Sequence, residues 1–303
     1  MAGLREPNAA FPDDRARTRA MTLSVVIPSR DVETVLPRQL SALAAQCVVD
    51  GDREVIVADN GSTDATRAVA SASGIANVRV IDASGHAGRH HACNVGARAA
   101  RSDAIVFLDA DDEIAPGYLD AMASALREHA VVAARLDHSA DPDWMRGVGS
   151  TVQTSGLQDE FGFLPHAAGA TLGFQKPAFD EIGGFHERMT YCEDVDICWR
   201  AQLAGYDLAF APDAVLRYSS RPDRAGMHVQ HRNYGAAQAL LYREFRAWGM
   251  PRRPAKAVGE DWMSVARGFV ARDTGSERAR WARRAGRNLG RLVGSLRYRV
   301  WYP

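Results

Sequence analysis

Between Thr22 and Asp137, short Val- and Ile-rich runs alternate with longer amphipathic stretches. The runs are "LSVVIPS", "REVIVADN", "VRVIDA", "DAIVFLDA" and "AVVAARLD"; the stretches between them are "ETVLPRQLSALAAQ", "TDATRAVASAS", "GRHHACNVGARAA" and "GYLDAMASALREH". Parallel strands need a long crossover, usually a helix, to bring the chain back. This alternation therefore predicts an α/β fold, a Rossmann-like, mostly parallel sheet flanked by helices. Strands of such a sheet are buried on both faces, and ligands collect at their carboxyl ends.

Beyond Asp137 the pattern loosens. Glycines and polar residues dominate from Asp141 to about Leu164, a kind of segment that often carries specificity. "GATLGFQKPAFDEIGGF" predicts a strand running into a short helix that ends at Gly183 and Gly184. "EDVDICWRAQLAG" predicts a helix with acids in its first turn and Gly205 at its end, and "YDLAFAPD" a strand. Helices are expected over Arg224 to Trp248, Asp261 to Arg272 and Arg278 to Leu296. Met1 to about Ala20, rich in Pro, Asp, Arg and Ala without periodicity, predicts a disordered leader.

Lys plus Arg equals Asp plus Glu at 37 each, so the whole-chain charge asks for no polyanionic partner, and no nucleic-acid recognition module is present. Cys47, Cys93, Cys192 and Cys198 form no CxxC pair, which predicts free thiols. No apolar run approaches the ~20 residues that span a bilayer, and the expected location is the cytoplasm.

Three acids, Asp109, Asp111 and Asp112, follow the strand "AIVFL" directly. Carboxylates gathered at a sheet edge repel one another unless a cation sits among them, and hard oxygen donors suit Mg²⁺ or Mn²⁺ carrying substrate phosphates. Taken alone, the cluster is read equally well as the start of a helix, with an Asp cap and Pro116 in the first turn. At the same edge the first strand brings Pro28, Ser29 and Arg30, and the second brings Asp59 ahead of the turn "NGSTD". No GxGxxG occupies the first turn, which argues against a dinucleotide site.

The ordered motifs "VVIPSRD", "VIVADNGSTD", "NVGARAARSDAIVFLDADD", "GGF" and "EDVDICWRAQLAGYDL" resemble family-2 inverting nucleotide-sugar glycosyltransferases of the GT-A fold, over roughly Thr22 to Arg217. The resemblance implies a glycosyltransferase domain at 21–222. Its nucleotide-binding half ends near residue 135, an acceptor and catalytic half follows, and a helical basic region covers 223–303. It implies that Pro28, Ser29 and Arg30 line the nucleotide pocket and that Asp59 bonds the base. Asp109 and Asp111 match the DXD pair: Asp109 directed at the ribose or sugar and the metal, Asp111 at a Mn²⁺ or Mg²⁺ ion on the diphosphate. Asp112 is the customary extra acid. The ED pair falls on Glu193 and Asp194, with Asp194 the base that deprotonates the acceptor hydroxyl and Glu193 its orienter or an acceptor contact. The implied donor is a nucleoside-diphosphate sugar, and the acceptor a glycan or lipid-linked glycan of the cell envelope.

The chain departs from the family pattern twice. Cys93 stands where relatives often carry Arg, which leaves Arg89 as the candidate contact to base or phosphate. No His follows the last strand directly; His228 and His231 come later, more readily as packing groups than as metal ligands. Asp196 is expected to pair with Arg200 one turn on. Trp199, Phe174, Phe179 and Phe185 are expected in the core, and His166 near the sugar. In the basic tail, Trp281, Ala285, Leu289, Leu292 and Leu296 form one helical stripe opposite Arg280, Arg283, Arg287 and Arg291. That helix either lies peripherally in a membrane interface or covers the catalytic domain with a solvated cationic face. Two other functions are compatible with such a chain: a nucleotidyltransferase, disfavoured because "PSRDVETVLP" lacks a Gly-rich Lys/Arg loop, and a nucleotide-sugar-binding scaffold without turnover.

Overall fold

The computed structural model describes residues 21–47, 52–141, 152–219, 226–270 and 275–303. The leader expected over 1–20 and part of the loop-rich stretch lie outside the described residues. Strands β1 (Leu23–Ser29), β2 (Arg53–Asp59), β3 (Val78–Asp82) and β4 (Ala104–Phe107) are joined through helices α1 (Leu36–Ala44), α2 (Thr66–Ser71) and α3 (Arg89–Ala99). After the two-residue β5 (Glu113–Ile114) come α4 (Tyr118–Glu128), β6 (Val131–Asp137), β7 (Leu172–Gln175), α5 (Lys176–Glu181), α6 (Glu193–Leu203) and β8 (Leu208–Arg217). Helices α7 (Met227–Phe245), α8 (Ala255–Val270) and α9 (Gly275–Tyr298) complete the described chain.

The strands form one eight-stranded sheet in the order β3-β2-β1-β4-β7-β6-β8-β5. The β3-β2-β1-β4 half is parallel as the alternation predicts, whereas β7 runs against both β4 and β6. The sequence does not signal β5, because two residues give no periodicity; its pairing with β8 fixes it. Side chains alternate across β1: Leu23, Val25 and Ile27 join a core with Leu36, Leu40 and Leu43 of α1 and Met122 and Leu126 of α4. Val26 faces the other way, into a core with Cys93, Phe107, Phe174, Phe179 and Phe185. Burying each of these aliphatic or aromatic side chains contributes roughly 1.5–3 kcal/mol. Gly96 lets α3 approach β1, since a Cβ there would stand 2.5 Å from Val26 Cγ1.

The C-terminal helices obey a different packing rule. Leu289 and Leu296 of the apolar stripe are exposed, so that stripe is not the face of α9 packed on α7. Gly286, Gly290 and Gly294 instead press α9 onto the backbone of α7. A Cβ on any of them would overlap the carbonyl of His228, Arg232 or Ala236, and one on Gly235 of α7 would overlap that of Arg287. Backbone contact of this closeness excludes side chains, and so an apolar stripe cannot form it. Trp199 of α6, Phe245 of α7 and Tyr302 sit in a third core where the tail meets the sheet domain.

Candidate active site

The three acids after β4 do not begin a helix. Helix α4 starts only at Tyr118, after Gly117 in a left-handed conformation (φ 81°), and the acid of its first turn is Asp120. The acids lie in the loop at the carboxyl edge of β4 with separate partners. Asp109 accepts from Arg89 Nε at 2.8 Å. Asp111 carries Arg38 on its carbonyl at 2.5 Å. Asp112 turns inward and takes the Ser219 N–H at 2.8 Å, which ties the acid loop to the chain leaving β8.

The loops after β1 and β2 are laced to each other. Asp31 Oδ1 receives Thr63 N–H at 2.7 Å, Asp64 receives Glu33 N–H at 3.0 Å, and Glu33 receives Ala65 N–H at 2.7 Å. Asp59 is buried and accepts from Arg67 at 3.3 Å and from Ser62 N–H at 3.2 Å. Pro28 and Ser29 stand opposite Ala58 and Asp59 in the β1–β2 register, while Arg30 projects outward. Asn60 was read as turn chemistry, and its role extends further: it donates to the Ala83 and His86 carbonyls and accepts Gly88 N–H at 2.8 Å. That arrangement sets the start of α3 and hence Arg89.

Arg89 brings the two acidic motifs together. Its terminal nitrogens lie 2.7 Å from Asp109 and 3.6 Å from Glu193 Oε1. Glu193 also meets His90 Nε2 at 3.1 Å. Asp194, the next residue, accepts Gly169 N–H at 3.3 Å, and a Cβ on Gly169 would lie 3.4 Å from Asp194 and 3.3 Å from Arg89. Asp109, Arg89, Glu193, Asp194 and Gly169 are therefore neighbours in space. His90 and Gly169 escaped sequence reasoning: a His beside an Arg at a helix start, and a Gly in "AAGA", carry no local signal. Cys93, one turn on from Arg89, is fully buried in the core below.

The electrostatics divide the pair. Burial pushes Glu193 up, but the His90 hydrogen bond and the Arg89 charge outweigh it and hold the carboxyl below its usual range. Burial and then the charge of Glu193 push Asp194 up to about 6. Neighbouring carboxylates driven apart in this way are suited to separate tasks. Burial, then the charge of Asp109, also pushes Asp112 up to about 8, and its Oδ2 is buried without a partner.

A divalent ion fits these residues. The donors are hard oxygens, and an orphaned buried carboxylate oxygen is what a cation would satisfy. No group of three or more His, Cys, Asp or Glu stands at ligand spacing among the described residues.

Other assignments fall as follows. Asp196 pairs with Arg200 at 2.7 Å, and Arg200 and Asn94 together hold the "GGF" turn, Asn94 bonding both the N–H and the carbonyl of Phe185 at 2.9 Å. Trp199, Phe174, Phe179 and Phe185 are core residues. His166 is buried against Phe161 and Trp199, 3.4 Å from Glu160. His228 and His231 face α9, meeting Ala282 O at 3.3 Å and Arg287 at 3.4 Å, rather than the acid loop. A cavity of about 620 Å³ lies apart from this site, against β5 and α4.

The fold is that of GT-A glycosyltransferases. A mannosyltransferase from Pyrobaculum calidifontis, solved with GDP-Man and Mn²⁺, superposes with a TM-score of 0.66 at 16% identity over 91% of this chain and 88% of its own. Glucosyl-3-phosphoglycerate synthase of Mycobacterium tuberculosis gives 0.53 at 21% identity, over 73% and 79%. The model of Glycosyl transferase family 2 matches residues 24–183 and that of Glycosyl transferase family group 2 matches 104–289, so the chain belongs to glycosyltransferase family 2. Among curated relatives, the Pre-mycofactocin glycosyltransferase of Mycobacterium tuberculosis is 27% identical over 70% of this chain and 47% of its own. An Undecaprenyl-phosphate 4-deoxy-4-formamido-L-arabinose transferase of Aeromonas hydrophila is 26% identical over 56% and 53%. The chain spans about half the length of these relatives.

Proposed function

We propose that this chain is a metal-dependent inverting glycosyltransferase of the hexosyl-transferring type, moving a sugar from a nucleoside diphosphate to the hydroxyl of a glycan or lipid-linked glycan. The observation that carries this reading is Arg89. Its terminal nitrogens lie between the sheet-edge acids and the helix-start acids, 2.7 Å from Asp109 and 3.6 Å from Glu193, so one guanidinium joins the two acidic motifs. A cation held between two sets of acids suits the anionic oxygens of a donor substrate.

Asp59 and the loops carrying Pro28, Ser29 and Arg30 receive the nucleoside. Asp109 and Asp111 hold the Mn²⁺ or Mg²⁺ ion, whose chemistry is to neutralise charge on the departing diphosphate. Asp194 removes the proton of the acceptor hydroxyl as that oxygen attacks the anomeric carbon from the side opposite the diphosphate, and a single displacement inverts the centre. Its raised pKa makes it a stronger base than an ordinary carboxylate while it stays ionised at neutral pH. Glu193, kept ionised by His90 and Arg89, orients the site and balances the Arg89 charge. Relatives that glycosylate pre-mycofactocin or undecaprenyl phosphate support a hydroxyl- or lipid-linked acceptor.

A thermal-shift screen of UDP-, GDP- and dTDP-sugars with and without Mn²⁺ identifies the donor, because binding to the folded state raises its stability. With that donor, Asp194→Asn keeps binding and loses transfer, whereas Asp111→Ala weakens Mn²⁺-dependent binding. Full transfer by Asp194→Asn overturns the assignment of the base. Peripheral membrane contact belongs to the same reading: Leu289, Val293 and Leu296 are exposed on α9 at about one-turn spacing, with Trp301 exposed beyond. Sedimentation with phosphatidylglycerol vesicles tests it, and a bound fraction unchanged in Leu296→Ser/Trp301→Ser removes that contact.

A further inference from the structure

The second charged cluster lies outside the transfer site. Arg280, Arg283, Arg284, Arg287 and Arg291 recur at three- and four-residue intervals along α9 and, with Asn288, line a cavity of about 280 Å³. The carboxylate in its wall is Asp261 of α8, already shared by Arg253 and by Arg291, the latter at 3.3 Å. The remaining contacts are neutral: Arg284 to Ser264 Oγ at 2.6 Å, Arg291 to Gln238 Oε1 at 2.7 Å, and Arg287 to His231 Nδ1 at 3.4 Å. No carboxylate pairs with Arg280, Arg283 or Arg287 among the described residues. Two donors are orphaned: Arg287 Nε, and the Nδ2 of Asn288, a side chain only 2% exposed.

We propose that this cavity is an anion site for a phosphoryl group. Planar guanidinium forks match phosphate oxygens in pairs, and several converging forks with open donors outbid what chloride or a lone carboxylate can satisfy. The volume falls just under the roughly 300–1,000 Å³ of drug-sized ligand sites, a size for a small anion or a headgroup. Burial and neighbouring like charges act on the cluster together. Burial, then Arg253 and Arg287, pulls Arg291 down to about 10, and burial followed by Arg287 pulls Arg283 down as well. His231 adds no charge, being held neutral by burial and by the same arginines. The cavity is separate from the transfer site, since every residue lining it belongs to α8 or α9. Soluble phosphate esters and the headgroups of anionic phospholipids share this chemistry.

The test uses the full chain in EDTA, at chloride-matched ionic strength, with inorganic pyrophosphate followed by thermal shift and calorimetry. In parallel, flotation with phosphatidylcholine vesicles, plain or doped with phosphatidic acid, probes the headgroup. Pyrophosphate is expected to raise the melting midpoint of the wild type and of Asp111→Ala alike. In Arg283→Gln/Arg287→Gln the affinity falls at least tenfold, while the ligand-free midpoint stays level or rises because like charges have been removed. A response confined to phosphatidic acid vesicles, and lost in the double variant, assigns the site to headgroups. Equal responses of wild type and double variant to both probes, or no response to either, overturn the proposal; circular dichroism of the double variant guards against misfolding.

Discussion

The transfer site and the α9 cluster both bury cations, but they balance charge in opposite ways. At the sheet edge the described basic side chains meet acids: Arg89 meets Asp109 and Glu193, His90 meets Glu193, and the half-exposed Arg67 meets Asp59. Along α9, five arginines line a cavity in which the one carboxylate among the described lining residues, Asp261, pairs with Arg291 and with Arg253. The first arrangement is a set of preorganised acids whose pKa values are driven apart. The second is a set of open donors. Packing differs in parallel, since the sheet is held by large interdigitating side chains and the α7–α9 pair by the absence of them.

The largest effect expected along this divide is chemical. Asp194→Asn lowers transfer by roughly 10²–10⁴-fold, the usual contribution of a general base, as read by product formation at saturating donor. Stability should not follow activity downward. The folded Asp194 pKa is raised, so the native state binds the extra proton; the associated stability is present below the unfolded pKa and is lost as pH rises towards about 6. The Asn variant is therefore as stable as the wild type at neutral pH or more so, and urea melts that show a large loss would break the contrast. The same ionisation gives the wild type an acid limb: the transfer rate falls as pH drops through about 6, well above the usual carboxylate range. A limb that persists unchanged in the residual activity of Asp194→Asn assigns it to another group.

Packing gives the next effects. Phe107 contacts Phe179 and Phe185 at ring-centroid distances of 5.3 and 5.0 Å, and Phe107→Ala costs about 3–5 kcal/mol in chemical denaturation. Gly290→Val makes the opposite error, adding atoms against the Arg232 carbonyl, at about 1–3 kcal/mol. A Gly290→Val protein as stable as the wild type would show that α9 does not depend on backbone contact. The smallest effect is Arg67→Gln, which breaks a half-exposed pair to Asp59 and costs under about 1 kcal/mol.

Alternation of strands and helices is local information, so β1 to β4, α1, α3, α4 and α6 were legible within a residue or a few of their ends. Placement was legible where an acid follows a strand, as at Asp59 and at Asp109 and Asp111, and where acids open a helix, as at Glu193 and Asp194. Which face of α9 packs was not legible, because glycines that define a contact by lacking a side chain register in a sequence only as weak helix formers, while the apolar stripe is the prominent signal. Asn60 and Gly169 were missed for a related reason: their partners lie 28 and 25 residues away.

The sequence by itself determined the α/β class, the parallel half of the sheet and the rim on which the acids stand, because period-2 and helical patterns and strand ends are properties of neighbouring residues. Only the tertiary structure decided that one guanidinium links the acids after β4 to those at the start of α6. It alone also turned the arginines of α9 into a walled cavity. Charge balance and close approach depend on groups far apart along the chain, and folding alone sets those distances.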